Sequence, residues 1–442
     1  MNSLLASAPS RRLAFVLSAL FLVAGLAGAE APQDRPNPLA ADAVWITLGA
    51  DAFQTLRTEG LSFDHQPLRA EDENSGAVLT RVHTRDLDHI SLRLHEVHRR
   101  CSGFFVHQDR ADAEAALERF SKAELLGAPI EYIIDQGPLV TSYQADLVPG
   151  NILATITSLS TEFNNRYYSH PSGEDGAVWI RDLWQSYAQD RPEVTVELYD
   201  HSWRQPSVIL TIPGSTLADE VVVLGGHLDS TSFGSSNPNF LAPGADDNAS
   251  GIATLSEVIR VAMERGFAPK RTVKFMGYAA EEVGLLGSQA IASEYQNTGV
   301  NVVAVLQLDM TAFNGSIQDI GLLSDNTNDV LTAFVADLID TYQPELEWIS
   351  TACGYACSDH ASWNSQGYPA AMSFEARVGQ HNSAIHTTSD TTATFGNTAD
   401  HSIKFARLAA AFMIEIGIDV TSSIFADGFE SGNLSAWTEQ IP

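Results

Sequence analysis

Residues 221–251 (VVVLGGHLDSTSFGSSNPNFLAPGADDNASG) constrain the fold more than any other stretch of the chain. The apolar start, VVVLGG, predicts a buried strand that delivers His227 and Asp229 where the chain leaves a sheet. A glycine-flanked turn with Asp246 and Asp247 follows, and apolar residues at helical spacing come next. Adjacent carboxylates repel each other unless they share a proton or a cation, so a bound divalent metal is one interpretation. Ordinary helix capping by Asp and Asn is the other.

The alternation of strands and helices continues over residues 127–421. Apolar runs at 207–212, 221–226, 272–279, 302–308 and 369–375 predict strands, and patterns at 251–265, 288–296, 329–343 and 402–416 predict helices. We expect the last helix to end before Gly417. Such alternation predicts an α/β fold, with a single domain built on a mostly parallel, mixed central sheet flanked by helices.

The charge of the chain limits its partners. Its 55 acidic residues outnumber 25 basic ones among 442 residues, which gives a net charge of -30. A surface of this sign repels nucleic acid and anionic membranes. We therefore expect a soluble protein without a nucleic acid or membrane partner.

The first residues predict the compartment. Arg11 and Arg12 precede an apolar run over 13–29 that ends in Ala-Gly-Ala. These features are typical of a secretory signal peptide (1–29) cleaved after Ala29, and they predict a secreted, extracellular protein. The alternative is a retained membrane anchor, which the short apolar run disfavours.

Residues 30–126 differ from the rest of the chain. They are polar, begin with a proline-rich piece and contain the strand-like runs AVWITLG, VLTRVHT and GFFVHQ and an alanine-rich helical pattern, but they show no paired ligand residues. They fit a small α+β accessory domain or a pro-segment that is removed later. At the other end, residues 422–442 form a short acidic tail that cannot hold a core of its own and that frays or docks on a partner.

Three predicted strands end in candidate metal ligands. His227 follows the first, Glu281 and Glu282 follow the second, and Asp309 follows the third. Sites in open α/β sheets form beyond the carboxyl ends of the strands, so these residues are expected to meet in one crevice. His386, in the loop AIHTTSDT, supplies a second imidazole, although a lone loop histidine is more often simply hydrogen-bonded.

The donor types predict the metal. Two imidazoles and three carboxylates can hold two metal ions if one carboxylate bridges. Nitrogen and oxygen donors without thiolate suit zinc, with cobalt or manganese as substitutes. In the adjacent pair Glu281 and Glu282, one carboxylate can bind metal while its neighbour remains free to take a proton from a water as a general base. The alternative is that both are acids at a helix start, favoured by the helix dipole. The expected ligands are His227, Asp247, Glu282, Asp309 and His386.

The chain has three cysteines, Cys101, Cys353 and Cys357. Residues four apart come within bridging range in a helix or compact loop, so the close pair can form a disulfide in an oxidising compartment. Two buried thiols are the alternative. Cys101 is left over in either case.

Several motifs together carry a family resemblance over roughly residues 130–418. They are HLD, GADDNASG, AAEEVGLLGS, QLDM, TACGYACSDHASW and IHTTSDT, in that order. In these motifs the chain resembles the secreted bacterial leucyl aminopeptidases, which are co-catalytic di-zinc exopeptidases with a phosphorylase/hydrolase-like α/β fold.

The resemblance implies two zinc ions per chain. It makes Glu281 the general acid/base, places Asp229 where it orients His227, and implies a cis peptide bond between Asp247 and Asn248. The implied ligand set is a bridging Asp247, with Glu282 and His386 on one zinc and His227 and Asp309 on the other.

The resemblance also implies a substrate pocket. It pairs Cys353 with Cys357 in a disulfide beside the substrate, and Tyr355 between them can donate to the developing oxyanion. Where family members carry aromatic residues near the rim, this chain has Val378 and His381. The residues implied to line an apolar pocket for a leucine-like side chain are Met310, Met372, Phe374 and Ile385.

The implied activity is removal of the N-terminal residue, preferably leucine or another apolar one, from peptides or proteins, by a monomer. The resemblance favours a propeptide over 30–126, maturation between 120 and 136, a catalytic domain over 127–421 and a short C-terminal extension over 422–442. Three other functions stay open: a carboxypeptidase that uses Arg377, a catalytically silent binding domain, and a single-zinc relative such as a glutaminyl cyclase.

Overall fold

The computed structural model describes residues 38–58, 60–61, 63, 68–69, 77–98, 103–107, 109–119, 131–232 and 237–418. The predicted signal peptide, Cys101, most of the predicted maturation region and the C-terminal tail lie outside the described residues. Among the residues described, we find no helix with the length and apolar character needed to cross a bilayer.

The N-terminal segment, which we define as residues 38–119, is an α+β unit. Its four-stranded antiparallel sheet has the order β2-β3-β1-β4, and the predicted strand-like runs fall on β1, β3 and β4. The elements are β1 (Ala43–Gly49), α1 (Ala50–Thr58), β2 (Leu68–Arg69), β3 (Ala77–His83), α2 (Leu87–His98), β4 (Phe104–His107) and α3 (Arg110–Arg119).

The main region runs from 131 to 418 and alternates helices with strands, as the sequence predicts. Its elements are α4 (Gly137–Gln144), α5 (Pro149–Thr161), α6 (Pro171–Tyr187), β5 (Thr195–Tyr199), β6 (Ser207–Ile212), β7 (Leu217–His227), α7 (Ala249–Glu264), β8 (Arg271–Tyr278), α8 (Leu286–Thr298), β9 (Asn301–Leu308), β10 (Ile320–Leu323), α9 (Asp329–Tyr342), β11 (Trp348–Thr351), α10 (His360–Ser365), β12 (Ala370–Phe374) and α11 (Ser402–Ile418).

The main region has an eight-stranded sheet in the order β11-β10-β12-β9-β7-β8-β6-β5. The four central strands, β12, β9, β7 and β8, run parallel, and an antiparallel pairing joins each flank to them at β12–β10 and β8–β6. This is the expected mostly parallel, mixed sheet. Because β7, β8 and β9 run parallel, their carboxyl ends lie at the same edge of the sheet.

Both faces of the sheet are buried. Along β7, Val222 and Leu224 pack into the core that contains α7 and α11, whereas Val221 and Val223 pack into the core on the opposite face with Ile291 of α8. Side chains of a strand alternate between faces, so a continuous apolar run is what a strand covered on both sides requires.

The last helix is longer than the sequence predicts. Gly417 was expected after the helix, but α11 continues through it to Ile418. The position packs closely, since a Cβ on Gly417 would lie 3.3 Å from Val273 Cγ2 and 3.4 Å from Phe267 Cζ. The glycine therefore permits close packing and does not terminate the helix.

The N-terminal segment shares a hydrophobic cluster with the main region. Ile90 and Leu94 of α2 belong to the same buried cluster as Ala280 and Val283. Gly284 (φ 98°) lets the chain approach the segment closely, because a Cβ there would lie 2.7 Å from Phe104 Cε2. The segment thus packs directly around Glu281 and Glu282.

Candidate metal centre

The three strand ends deliver the predicted ligands to one place. His227 is the last residue of β7, Glu281 and Glu282 follow β8, and Asp309 follows β9. The loop before α11 brings His386 to the same edge of the sheet. All six predicted metal-site and base residues, including Asp247, are at most 2% exposed.

Asp247 lies between the two imidazoles. Its Oδ1 is 3.0 Å from His227 Nε2, and its Oδ2 is 2.9 Å from His386 Nε2. On one side His227 Nε2 is 3.3 Å from Asp309 Oδ1, and on the other His386 Nε2 is 3.3 Å from Glu282 Oε2. The arrangement has the two-sided form that the resemblance implies.

The donor atoms fit bound metal ions. Neither carboxylate oxygen of Glu281, Glu282 or Asp309 has a hydrogen-bond partner among the described residues, although all six atoms are buried. Buried polar atoms are nearly always hydrogen-bonded, so such a group requires an explanation, and an ion is one. His227, Asp247 and Glu282 form one group of donor atoms that all lie within 4.8 Å of each other.

The electrostatics of the site also favour a bound metal ion. Burial opposes charge on either imidazole, but the surrounding carboxylates outweigh it and raise the pKa of His227 well above its ordinary value and that of His386 to about 10. Burial also raises the pKa of Glu281 well above its ordinary value. A divalent cation relieves such a concentration of buried negative charge.

Asp229 joins the ends of β7 and β8. Its Oδ1 accepts the backbone N–H of Glu281 at 3.0 Å and its Oδ2 that of Glu282 at 3.1 Å. Its Oδ1 also lies 3.3 Å from His227 Nδ1. Since this carboxylate fixes the imidazole on the side away from Asp247, the structure puts Asp229 where it can orient a ligand.

The backbone around the site adopts rare conformations. Ala280, Met310 and His386 have φ of 54°, 60° and 57°, in the left-handed region that non-glycine residues seldom adopt. Such residues cluster at functional sites, where the surrounding structure holds them. The peptide bond between Asp247 and Asn248 is cis, as the resemblance implies.

An apolar cavity of about 190 Å³ opens beside Asp309. Cys353 and Cys357 form the implied disulfide at its wall. Tyr355, Met310, Met372 and Phe374 line the cavity together with Val378 and His381, and Ile385 is buried in the same hydrophobic cluster.

Sequence reasoning missed a second group of three acids and one amide, which we name the supporting cluster: Asp246, Glu375, Asn382 and Asp390. Asp390 accepts the backbone N–H groups of Asp246 and Asp247, both at 3.1 Å. The amide of Asn382 donates to Asp246 Oδ2 at 3.0 Å. The supporting cluster therefore fixes the backbone of the acidic turn. In the sequence, the adjacent Asp246 and Asp247 were the signal for this cluster.

Arg166 was also missed. Its buried guanidinium donates to the carbonyl oxygens of Leu228 (2.9 Å), Pro243 (2.7 Å) and Gly244 (2.9 Å), and burial lowers its pKa to about 10. It therefore ties the end of β7 to the acidic turn. Arg377, considered as an anchor for a substrate carboxylate, is exposed.

The N-terminal segment contributes a histidine to the site, although no paired ligand residues are visible in its sequence. His95 of α2 stacks on His386 with ring centroids 4.1 Å apart, and its Nε2 lies 3.5 Å from Glu282 Oε2. His95, Glu282 and His386 form a second group of donor atoms within 4.8 Å of each other. The role of His95 depends on packing between distant parts of the chain, so no local motif marks it.

Comparisons with known proteins identify the family to which the chain belongs. A model of peptidase family M28 matches residues 207–413. A probable leucine aminopeptidase of Arthroderma otae is 35% identical over 69% of this chain and 82% of its own length. Leucine aminopeptidase 1 of Coccidioides posadasii is 40% identical over 58% of this chain and 68% of its own.

Two solved structures from Legionella pneumophila resemble most of this chain. The LapA aminopeptidase has a TM-score of 0.69 at 26% identity and covers 86% of this chain and 99% of its own. LapB has a TM-score of 0.71 at 26% identity and covers 85% and 100%. Both matches are longer than residues 131–418 and so extend into the N-terminal segment.

The mixed α/β sheet and the buried donor set at its edge define a metal-dependent hydrolase. The chain belongs to peptidase family M28, and its similarity to leucine aminopeptidases supports a metallo-aminopeptidase activity. The expected family resemblance is confirmed at this level. The expected bacterial source remains a prediction, because the sequence relatives named above are fungal.

Proposed function

We propose that this chain is a secreted aminopeptidase that removes leucine and other apolar residues from peptide N-termini with two zinc ions and Glu281 as general base. The observation that carries the proposal is the two-sided placement of Asp247, within 3.0 Å of both His227 and His386. A carboxylate in this position is suited to bridge two metals.

Each zinc would take one imidazole, one further carboxylate and a share of Asp247. His227 and Asp309 would hold one ion, and Glu282 and His386 the other. When bound, the two ions would lower the pKa of a shared water and polarise the scissile carbonyl.

Glu281 is suited to move the proton. Its backbone is fixed by Asp229, while both of its carboxylate oxygens are buried without a hydrogen-bond partner among the described residues. It can accept a proton from the attacking water and pass it to the leaving amine. Its neighbour Glu282 faces His386 and serves as a ligand instead.

Charge at the site favours an amino terminus over a carboxyl terminus. Asp309 and Glu282 offer negative charge to a substrate α-amine. A carboxypeptidase needs a cation for the terminal carboxylate. The nearby buried cation, Arg166, donates to backbone carbonyls, and Arg377 is exposed, which disfavours that alternative.

The apolar cavity accounts for a preference for leucine. Engineered cavities on the order of 150 Å³ accept a benzene ring, so a cavity of about 190 Å³ can hold one apolar side chain. Burying a leucine side chain contributes about 1.5 to 3 kcal/mol. Tyr355 lines this cavity, and we propose that its hydroxyl donates to the developing oxyanion.

The test compares leucine p-nitroanilide with its N-acetylated form, with and without a chelator. We expect hydrolysis of the free-amine substrate only, and loss of that hydrolysis on chelation. Equal cleavage of both substrates would contradict an aminopeptidase. Full activity with one zinc per chain would instead support a single-zinc relative, and metal binding without turnover would support a silent binding domain.

We propose secretion through the signal peptide 1–29 and later removal of residues 30–126. N-terminal sequencing of the secreted product tests both steps. We expect a new N-terminus between 120 and 136, and a product that still begins near Glu30 would contradict removal.

A further inference from the structure

The N-terminal segment places an imidazole inside the candidate metal centre. His95 lies in the last turn of α2 and is 1% exposed. Its Nε2 and that of His386 approach the same atom, Glu282 Oε2, at 3.5 and 3.3 Å. Three donor atoms from three distant parts of the chain therefore converge.

Hydrogen bonds around His95 leave its Nε2 as an acceptor. The hydroxyl of Ser91 donates to the carbonyl oxygen of Glu282. Since that hydroxyl hydrogen is used, Ser91 Oγ, 3.5 Å from His95 Nδ1, can only accept a hydrogen bond from the ring N–H. Nδ1 then carries the hydrogen, and the lone pair of Nε2 faces a carboxylate. Two such electron-rich atoms repel unless a cation lies between them, and a neutral imidazole nitrogen is a preferred zinc ligand.

Hydrogen bonds and apolar contacts with the main region hold α2 in this position. Asp88 Oδ1, one turn before Ser91, accepts the hydroxyl groups of Tyr167 and Tyr168, both at 3.0 Å. Ile90 and Leu94 are buried in the cluster shared with the residues around Glu281. Further along α2, His98 lines the apolar cavity next to Asp309. The helix thus covers both the metal centre and the pocket.

We propose that His95 is an additional metal ligand, supplied by the N-terminal segment to the ion held by Glu282 and His386. In this role it occupies the coordination position that a substrate or water needs, so the unprocessed chain binds metal tightly but turns over slowly. The inference rests on the proposed function, since it requires metal at this site. Removal of the segment then opens the position.

The test uses the full chain with three substitutions. His95→Phe keeps an aromatic ring against His386 but removes the donor atom, and His95→Ala removes both. His89→Ala is the matched control, because His89 lies on the same helix and is exposed. Metal affinity is measured by chelator competition, and the coordination of bound Co²⁺ by its visible spectrum, before and after limited proteolysis of the folded chain between 120 and 136.

We expect His95→Phe to lower the metal affinity of the unprocessed chain at least about 10-fold, because even partners that only contact a ligand contribute 10- to 100-fold. The Co²⁺ spectrum should change with it, and His89→Ala should match the unsubstituted chain. After proteolysis and removal of the segment, all variants should become alike and hydrolyse leucine p-nitroanilide faster.

The inference is overturned if His95→Phe and the unsubstituted chain have the same affinity and the same Co²⁺ spectrum before proteolysis. It is likewise overturned if His95→Ala loses affinity and His95→Phe does not, because His95 then acts through packing alone. Failure of the proposed function looks different: the processed chain itself would bind no metal or show no hydrolysis, whichever residue stands at 95.

Discussion

Asp246 and Asp247 are adjacent and both buried, yet their carboxylates have opposite surroundings. In the supporting cluster, both oxygens of Asp246, Glu375 and Asp390 accept N–H groups, as with Ala312 N on Asp246 Oδ1 at 3.0 Å. We define the metal cluster as Asp247, Glu281, Glu282, Asp309, His227 and His386. In this cluster, the carboxylate oxygens of Glu281, Glu282 and Asp309 have no hydrogen-bond donor among the described residues. This difference in hydrogen bonding distinguishes acids that position the backbone from acids that are suited to bind a cation.

The largest expected effect comes from metal removal. We expect chelation to abolish hydrolysis by the processed enzyme and to lower its Tm, since a ligand at 1,000 times its Kd stabilises the folded state by about 4 kcal/mol. Calorimetry and leucine p-nitroanilide turnover, before and after adding zinc back, measure both. Retained activity after complete chelation would mean that the metal cluster is only a second supporting cluster.

The next largest effect distinguishes the roles of Glu281 and Glu282 within the metal cluster. Glu281→Ala should lower kcat by at least about 10²-fold and keep the bound metal, because general-base catalysis contributes on that scale. Glu282→Gln should lose metal affinity as well. Metal content by elemental analysis and kcat of the processed variants distinguish the two, and near-normal turnover of Glu281→Ala would remove it from the mechanism.

A smaller effect is expected from the supporting cluster. Asp390→Asn replaces one of the two oxygens that accept the N–H groups of Asp246 and Asp247. We expect metal affinity to fall about 10- to 100-fold, as for other groups behind metal ligands. Chelator competition measures it, with the exposed neighbour Ser389→Ala as control. A variant with unchanged affinity would show that Asp390 does not position the turn.

The smallest effect on catalysis is expected at His401, which contacts the carbonyl of Glu375 at 2.8 Å. Burial and Lys404 lower its pKa from 6.5 to about 4. The unfolded chain therefore takes up a proton first, and stability is lost as pH falls from 6.5 towards 4. His401→Gln removes this proton uptake, so its free energy of unfolding should fall by roughly 3 kcal/mol less over that interval, at 1.36 kcal/mol per pKa unit. Urea unfolding at both pH values tests this, and a loss equal to that of the unsubstituted chain would contradict it.

The sequence predicted the parts that local pattern controls. The strand predicted at 207–212 coincides with β6, and the ligands at the ends of β7, β8 and β9 were found because parallel strands end at one edge. His95 and Asp390 were missed because their roles depend on long-range packing. Ser91, which orients His95, bonds to a residue 191 positions away. No periodicity or spacing encodes such a contact.

The carboxylate of Asp229 accepts from both glutamate N–H groups and also faces the imidazole of His227. One side chain thereby sets the distance between a residue that would grip the metal and the residue that would carry the proton. The residues that line the apolar cavity are not part of this group of contacts, so they can change to suit other substrates while this distance stays constant. Changes in substrate preference can therefore occur without realigning the reactive groups.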